Sequence, residues 1–230
     1  MIIWFVLFFI VVIASFILAL KSMGDYQERP LGMGLKYSLF LVQNPNMLTG
    51  DILKNIYDEA LKSNTIISIE KLFKGEKTAL VIFAPKELTD KFTGTLNLLE
   101  LEDYSTREIN NFKIWEIGVK NPVSIKLPAL SAKEEFWWQI VLKPKIESRQ
   151  CRDKNIFFQT IIRAVLISED KTKEQETRNQ LGNSILPQAH SSLDILKSYR
   201  QRILPLDYVQ NLGDGALPLL NKEQIMALLV

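Results

Sequence analysis

Apolar positions change period several times along the chain, and each change predicts an element. In GDILKNIYDEALKSN (50–64), Ile52, Leu53, Ile56, Tyr57, Ala60 and Leu61 recur at the three- and four-residue spacing of one helix face, with Asp51 as the N-cap and Asn64 as the stop. KYSLFLVQ (36–43), TIISIEKLF (65–73) and TALVIFA (78–84) are rich in β-branched and apolar residues and predict strands, the last two joined by the turn residues Gly75 and Glu76. Pro85 suits the first turn of a short helix, PKELTDKF, with Leu88 and Phe92 on one side, and TLNLLELE (95–102) predicts a further strand. The order strand, helix, strand, strand, helix, strand is that of a ferredoxin-like unit, two interleaved βαβ units whose helices share one face of an antiparallel sheet.

The second half has a different pattern. FKIWEIGVK (112–120), EEFWWQIVLKP (134–144) and NIFFQTIIRAVLISED (155–170) predict three strands, followed by a strongly polar helix from Lys171 to about Gly182. Ser191 and Asp194 stand at capping-box spacing before LDILKSYRQRI, a helix that Pro205 should end. The tail NLGDGALPLL is turn-rich, and NKEQIMALLV predicts a last short helix. Alternation sends Trp137 and Trp138 to opposite faces of one strand. Trp138 goes to the core against helices, with Phe136, Ile140 and Leu142; Trp137 goes to the open face as a candidate interface anchor, covered by a neighbouring subdomain or a partner.

Ahead of all this, residues 2–20, IIWFVLFFIVVIASFILAL, hold no charge, Gly or Pro. At a rise of about 1.5 Å per residue they reach roughly 29 Å, one bilayer crossing. A cleaved secretory signal would want a basic start and a small-x-small site; no Lys or Arg precedes the run, and it ends at Leu20-Lys21 without such a site. The expectation is an uncleaved single-pass anchor in the inner membrane. Lys21, Arg29 and Lys36 flank its C-terminal side, so the positive-inside tendency puts the remainder in the cytoplasm. The expected organisation is a transmembrane helix (1–21), a linker (22–35), a ferredoxin-like subdomain (36–104), a second α+β subdomain (105–206) and a tail with a short helix (207–230).

Composition narrows the chemistry. The chain has 230 residues, 47% of them hydrophobic, enough for a substantial core. One cysteine, Cys151, excludes an internal disulfide, and with His190 as the single histidine the usual four-ligand zinc sites are excluded too. KGEKT (74–78) lacks the first Gly of a phosphate loop, has Glu76 ahead of Lys77 and joins two strands, so it reads as a hairpin turn. His190 sits in QAHSS without a G-x-S-x-G elbow and reads as an exposed loop residue. No carboxylate pair stands out, so the expectation is a non-enzyme without cofactor, metal or catalytic residues. Arg163, inside an apolar strand, is expected to pair with a carboxylate or to lie at a sheet edge.

One segment carries charge in excess: KPKIESRQCRDK (143–154) holds Lys143, Lys145, Arg149, Arg152 and Lys154 against Glu147 and Asp153. As a loop between strands it reads first as a solvated loop, and beyond that as a contact for phosphates of lipid headgroups or of nucleic acid.

Several segments taken in order also carry a family likeness. SIEKLFKGEKTALVIFAPKELTDKF resembles a strand, turn and strand ending in x-P-K before a short L-x-x-F helix. EEFWWQIVLKP resembles E-x-x-W-x-Q-I-L-x-R-P with Lys143 in place of Arg, FFQTIIRAVLISED resembles an F-x-x-x-I-R strand before a polar helix, and ALPLLNKEQIMALLV resembles L-L-x-x-E-E-L-A-x-L. After a hydrophobic anchor, these are features of the N-terminal module of type IV secretion and conjugative-transfer ATPases. The resemblance implies a docking or assembly module on the cytoplasmic side of the membrane, beside a P-loop secretion ATPase or other secretion-system subunits, with homo-oligomerisation in view. The sequence departs from the family in having no nucleotide-binding motif, so ATP hydrolysis does not carry over, and a split product, a stand-alone relative and a fragment all stay open. The alternative is a membrane-tethered nucleic-acid-binding protein that uses the basic stretch 143–154.

Overall fold

The computed structural model describes residues 35–118, 129–145, 157–186, 191–204 and 218–229. Their elements are β1 (Tyr37–Val42), α1 (Gly50–Ser63), β2 (Ile67–Lys74), β3 (Lys77–Pro85), α2 (Lys86–Thr89), α3 (Thr93–Leu96) and β4 (Leu98–Leu101) in the first half. The second half has β5 (Phe112–Ile117), β6 (Glu135–Lys145), β7 (Phe157–Ile167), α4 (Lys171–Leu181), α5 (Ser192–Gln201), β8 (Leu219–Asn221) and α6 (Lys222–Leu229). The apolar run 2–20 and residues 21–34 after it lie outside the described residues; among those described, no helix is long and apolar enough to cross a membrane.

Local chemistry explains most boundaries. In α1 the residues Leu53, Ile56, Tyr57 and Ala60 are buried, the i, i+3, i+4, i+7 stripe of an amphipathic helix. Its N-cap is Thr49, whose hydroxyl accepts from the Ile52 N–H, rather than Asp51; Asp51 sits one residue inside, where its charge meets the positive helix end. Asn64 closes the helix in the left-handed conformation, as expected. Gly75, at φ 55°, opens the two-residue turn between Lys74 and Lys77, so KGEKT is a hairpin turn. The Ser191 hydroxyl accepts from the Asp194 N–H at 3.2 Å and donates to the Asp194 carboxylate at 2.6 Å, the capping interaction that starts α5.

The fold is α+β, with an antiparallel sheet in the order β4-β1-β3-β2-β6-β7-β5 and β8 beside β7. Within the first half, α1 carries the chain over β3's position, so β3 lies between β1 and β2, and β4 joins the far edge of β1. The remaining edge of β2 pairs with β6 from Ile67↔Leu142 to Lys74↔Glu135, which makes one continuous sheet of both halves. β6 runs on beyond the end of β2, so Pro144 pairs with Phe158 of β7 on one side and needs no N–H on the other. β8, only three residues long, was hidden in a turn-rich tail: it becomes a strand because β7 offers Phe157, Phe158 and Gln159 as partners.

Both faces of the sheet are covered. On one face Phe136, Trp138, Ile140 and Leu142 pack with Leu53, Ile56 and Ala60 of α1, Leu181 of α4, and Ile225 and Leu228 of α6. On the other, Trp137 packs with Ile114, Val165, and Ile195, Leu196 and Tyr199 of α5. The expectation of an open face around Trp137 is therefore corrected: the chain's own α5 covers it, leaving 1% of the residue exposed. Its loss of packing on truncation to Ala is expected to cost about 3–5 kcal/mol.

Candidate functional site

Strand register sets four polar residues side by side across the sheet beneath α5. Glu116 of β5 lies opposite Arg163 of β7, Arg163 opposite Gln139 of β6, and Gln139 opposite Glu70 of β2. All four are buried. A polar group withdrawn from water this way needs partners, because an unmatched buried charge would neutralise or unfold its surroundings.

The partners are present. Arg163 donates from Nε to Glu116 Oε1 at 3.0 Å and from one terminal nitrogen to Gln139 Oε1 at 3.1 Å; it also reaches the carbonyls of Ser198 at 3.3 Å and Ile203 at 2.9 Å. Gln139 passes the row on, donating to Glu70 Oε1 at 2.9 Å and to the Tyr199 carbonyl at 3.0 Å. Glu70 Oε1 also accepts from Ser68 at 2.8 Å and from Arg202 Nε at 2.9 Å, and its second oxygen accepts from the Tyr104 hydroxyl at 2.6 Å. Arg202 in turn holds Asp103 with both terminal nitrogens.

The end of α5 is thus fastened by side chains that reach its last carbonyls, the groups a helix C-terminus leaves without internal partners. Arg202 takes a left-handed conformation, φ 51°, as it closes the helix, and its guanidinium stacks 4.5 Å over the Phe83 ring. Arg200 adds two bonds, to the carbonyls of Ser105 at 2.7 Å and Arg107 at 3.0 Å.

Titration behaviour follows from this enclosure. Burial, together with the charge of Glu70, pushes the Tyr104 and Tyr199 hydroxyls well above the usual phenol range. Tyr104 gives its one proton to Glu70, so the Tyr199 hydroxyl donates to Tyr104. Burial opposes the charges of Arg202 and Asp103, but their partners outweigh it: Glu70 first, and then Asp103, raise the guanidinium, and Arg202 lowers the Asp103 carboxyl. The arrangement is a densely bonded set of donors and acceptors, buried except toward Asp103, whose side chain is 29% exposed. Its chemistry is that of a fastening, in which each ionised group is spent on another.

The residues singled out from the sequence fall elsewhere. Trp137 lies under α5, edge-on to Tyr104 with centroids 4.9 Å apart, and its Nε1 donates to Glu135 at 3.0 Å. The Arg107 guanidinium sits 5.2 Å from its ring. Lys143 and Lys145 are half-buried in the last three residues of β6, not in a free loop, because β7 pairs with them through Gln159 and Phe157. Six residues along the strand from Trp137, Lys143 is about 20 Å away, so the two do not form one surface. Arg149, Arg152, Lys154, Cys151 and His190 lie outside the described residues. Arg163 pairs with a carboxylate, as expected, from a strand that is paired on both sides.

Sequence reasoning missed Glu70, Glu116, Tyr104, Tyr199, Arg202 and Asp103. A signal was there for the first two: TIISIEKLF and FKIWEIGVK each carry a glutamate at an inward-facing strand position, as NIFFQTIIRAVLISED carries Arg163. Compared with protein-family models, curated proteins and solved structures, the chain matches none.

Proposed function

We propose that this chain is a single-pass membrane protein whose ferredoxin-like first half and α+β second half together form a non-catalytic docking and assembly module of a type IV secretion-like or conjugative-transfer system. The observation that carries the non-catalytic part is the dense bonding of the buried row: Glu116, Arg163, Gln139, Glu70 and Arg202 bond to one another and to the end of α5. Charges committed in this way hold a surface in shape. The strand order β4-β1-β3-β2 supports the ferredoxin-like reading of the first half. The uncharged run 2–20 supports the anchor, and the quoted motifs support the secretion-system reading.

The test is purification of the full chain from its own membranes in mild detergent. Co-elution of a P-loop ATPase or other secretion subunits at fixed stoichiometry is the expected result; a lone chain eluting from membranes in which such an ATPase is abundant sinks the docking reading.

A further inference from the structure

The topology gathers one end of the sheet at the place where the chain enters it. β1 begins there, since Tyr37 lies opposite Pro85 at the end of β3, and the Lys86 N–H donates to the Lys36 carbonyl at 2.9 Å. β2 also begins there, with Ile67 opposite Leu142 near the end of β6, and β6 carries Lys143 and Lys145 one and three residues further on. From β1 to β6 there are three strand steps, through β3 and β2, so Lys36 and Lys143 stand about 14 Å apart.

This end carries positive charge that the described residues leave uncommitted. Lys36 is exposed, Lys143 and Lys145 are half-buried, and none of the three has a carboxylate partner among the described residues. Next to them Lys62 and Lys91 share the single carboxylate of Glu59, in a groove that Leu35 and Pro85 also line. Glu87 lines the same groove, and Lys86 is held by Glu100 at 2.7 Å. The Tyr57 hydroxyl donates to the Lys145 carbonyl at 2.8 Å and ties the end of β6 to α1.

Resting on the membrane-anchor reading above, we propose that the rim bearing Lys36, Lys143 and Lys145 lies against an anionic bilayer surface and binds the phosphates of its lipid headgroups. Position favours lipid over nucleic acid as the source of phosphate. Only residues 21–34 separate the apolar run from Leu35, and a stretch of fourteen residues at coil dimensions would span about 20 Å, so an anchor would keep this end of the sheet near the headgroups. Each lysine brought to such a surface strengthens the contact about fivefold, and salt weakens it.

The experiment uses the full chain reconstituted into liposomes of phosphatidylcholine alone or of phosphatidylcholine with phosphatidylglycerol. A membrane-impermeant acylating reagent reads the exposure of each lysine by mass spectrometry, and alkaline extraction reads insertion separately. The expected result is several-fold lower labelling of Lys36, Lys143 and Lys145 in the anionic liposomes, lost in high salt, with Lys113 on β5 unchanged. A variant with all three lysines changed to Gln should show no lipid-dependent difference in amide exchange at the end of β6, where the unaltered chain should. Equal labelling in both liposomes at low salt overturns the proposal, even when the chain resists extraction and the anchor stands. Extraction from both liposomes overturns the anchor reading alone, provided that anionic vesicles still protect the lysines. Protection by added duplex DNA in the neutral liposomes, without protection by anionic lipid, assigns the rim to nucleic acid and overturns the proposal.

Discussion

Arg163 and Glu116 face each other across β7 and β5, bonded at 3.0 Å, with side chains 0% and 4% exposed. Removing one partner leaves the other buried without its counter-charge. Arg163→Met is therefore expected to lower unfolding stability by about 3–5 kcal/mol. In Arg163→Met/Glu116→Met the loss should be clearly less than the sum of the single losses, and urea midpoints give all three values. Additive losses would show that the pair is not a coupled unit.

The two tyrosines of the row should not be equivalent. Tyr104→Phe removes a donor from Glu70 and strands the Tyr199 proton, for a loss of about 1–3 kcal/mol, whereas Tyr199→Phe leaves only one lone pair on Tyr104 unfilled and should cost about 1 kcal/mol or less. A reversed order in chemical denaturation would contradict the assigned bond directions. Both hydroxyls have raised folded values, so the stability they contribute is complete below the unfolded value near 10.0 and declines as pH rises beyond it. Tyrosinate absorbance of the folded chain should lag behind that of the unfolded chain at high pH.

Acid should act through Glu134. Burial works to raise this carboxyl, but Lys173, Ser168 and the Ser131 N–H outweigh it and hold it at about 2, against 4.5 as the ordinary value. Its contribution is therefore intact above pH 4.5 and is lost as pH falls from there toward 2. In Glu134→Gln the stability lost across that window should be smaller than in the unaltered chain. Identical acid profiles by circular dichroism would count against the cluster.

At the start of α1, Thr49→Ala should cost about 1 kcal/mol, because it deletes the acceptor for the Ile52 N–H. Asp51→Ala should cost less, since it removes only a charge near the helix end, about 0.3–1 kcal/mol at low salt. Thermal midpoints in low and high salt separate the two: the Asp51 effect shrinks with salt and the Thr49 effect does not.

Much of the fold was legible because it is written in short-range patterns. The stripe Leu53, Ile56, Tyr57, Ala60, the Gly75 turn and the Ser191–Asp194 cap each depend on residues within about two turns of one another. What joined the halves was not legible. Nothing in TIISIEKLF says that its free edge will take EEFWWQIVLKP, and only that pairing brings Gln139 beside Glu70. Alternation placed Trp137 and Trp138 on opposite faces, but which face stays open depends on where a separate helix lands, and α5 landed on Trp137. The row escaped for the same reason: Arg202 reads as an ordinary surface arginine near the end of a helix until the sheet supplies Glu70.

Glu70 and Arg202 are 132 residues apart in the chain. A ribosome adding about 5–20 residues per second needs roughly 7 to 26 s to cover that interval. For that time Glu70, and later Gln139 and Arg163, have been made without the helix that satisfies them. Completing the row is then a closing of charge as much as of apolar surface, and β8 and α6 still follow it in the chain. A chain cut short before residue 202 would carry Glu70 without the guanidinium that holds it in the finished fold.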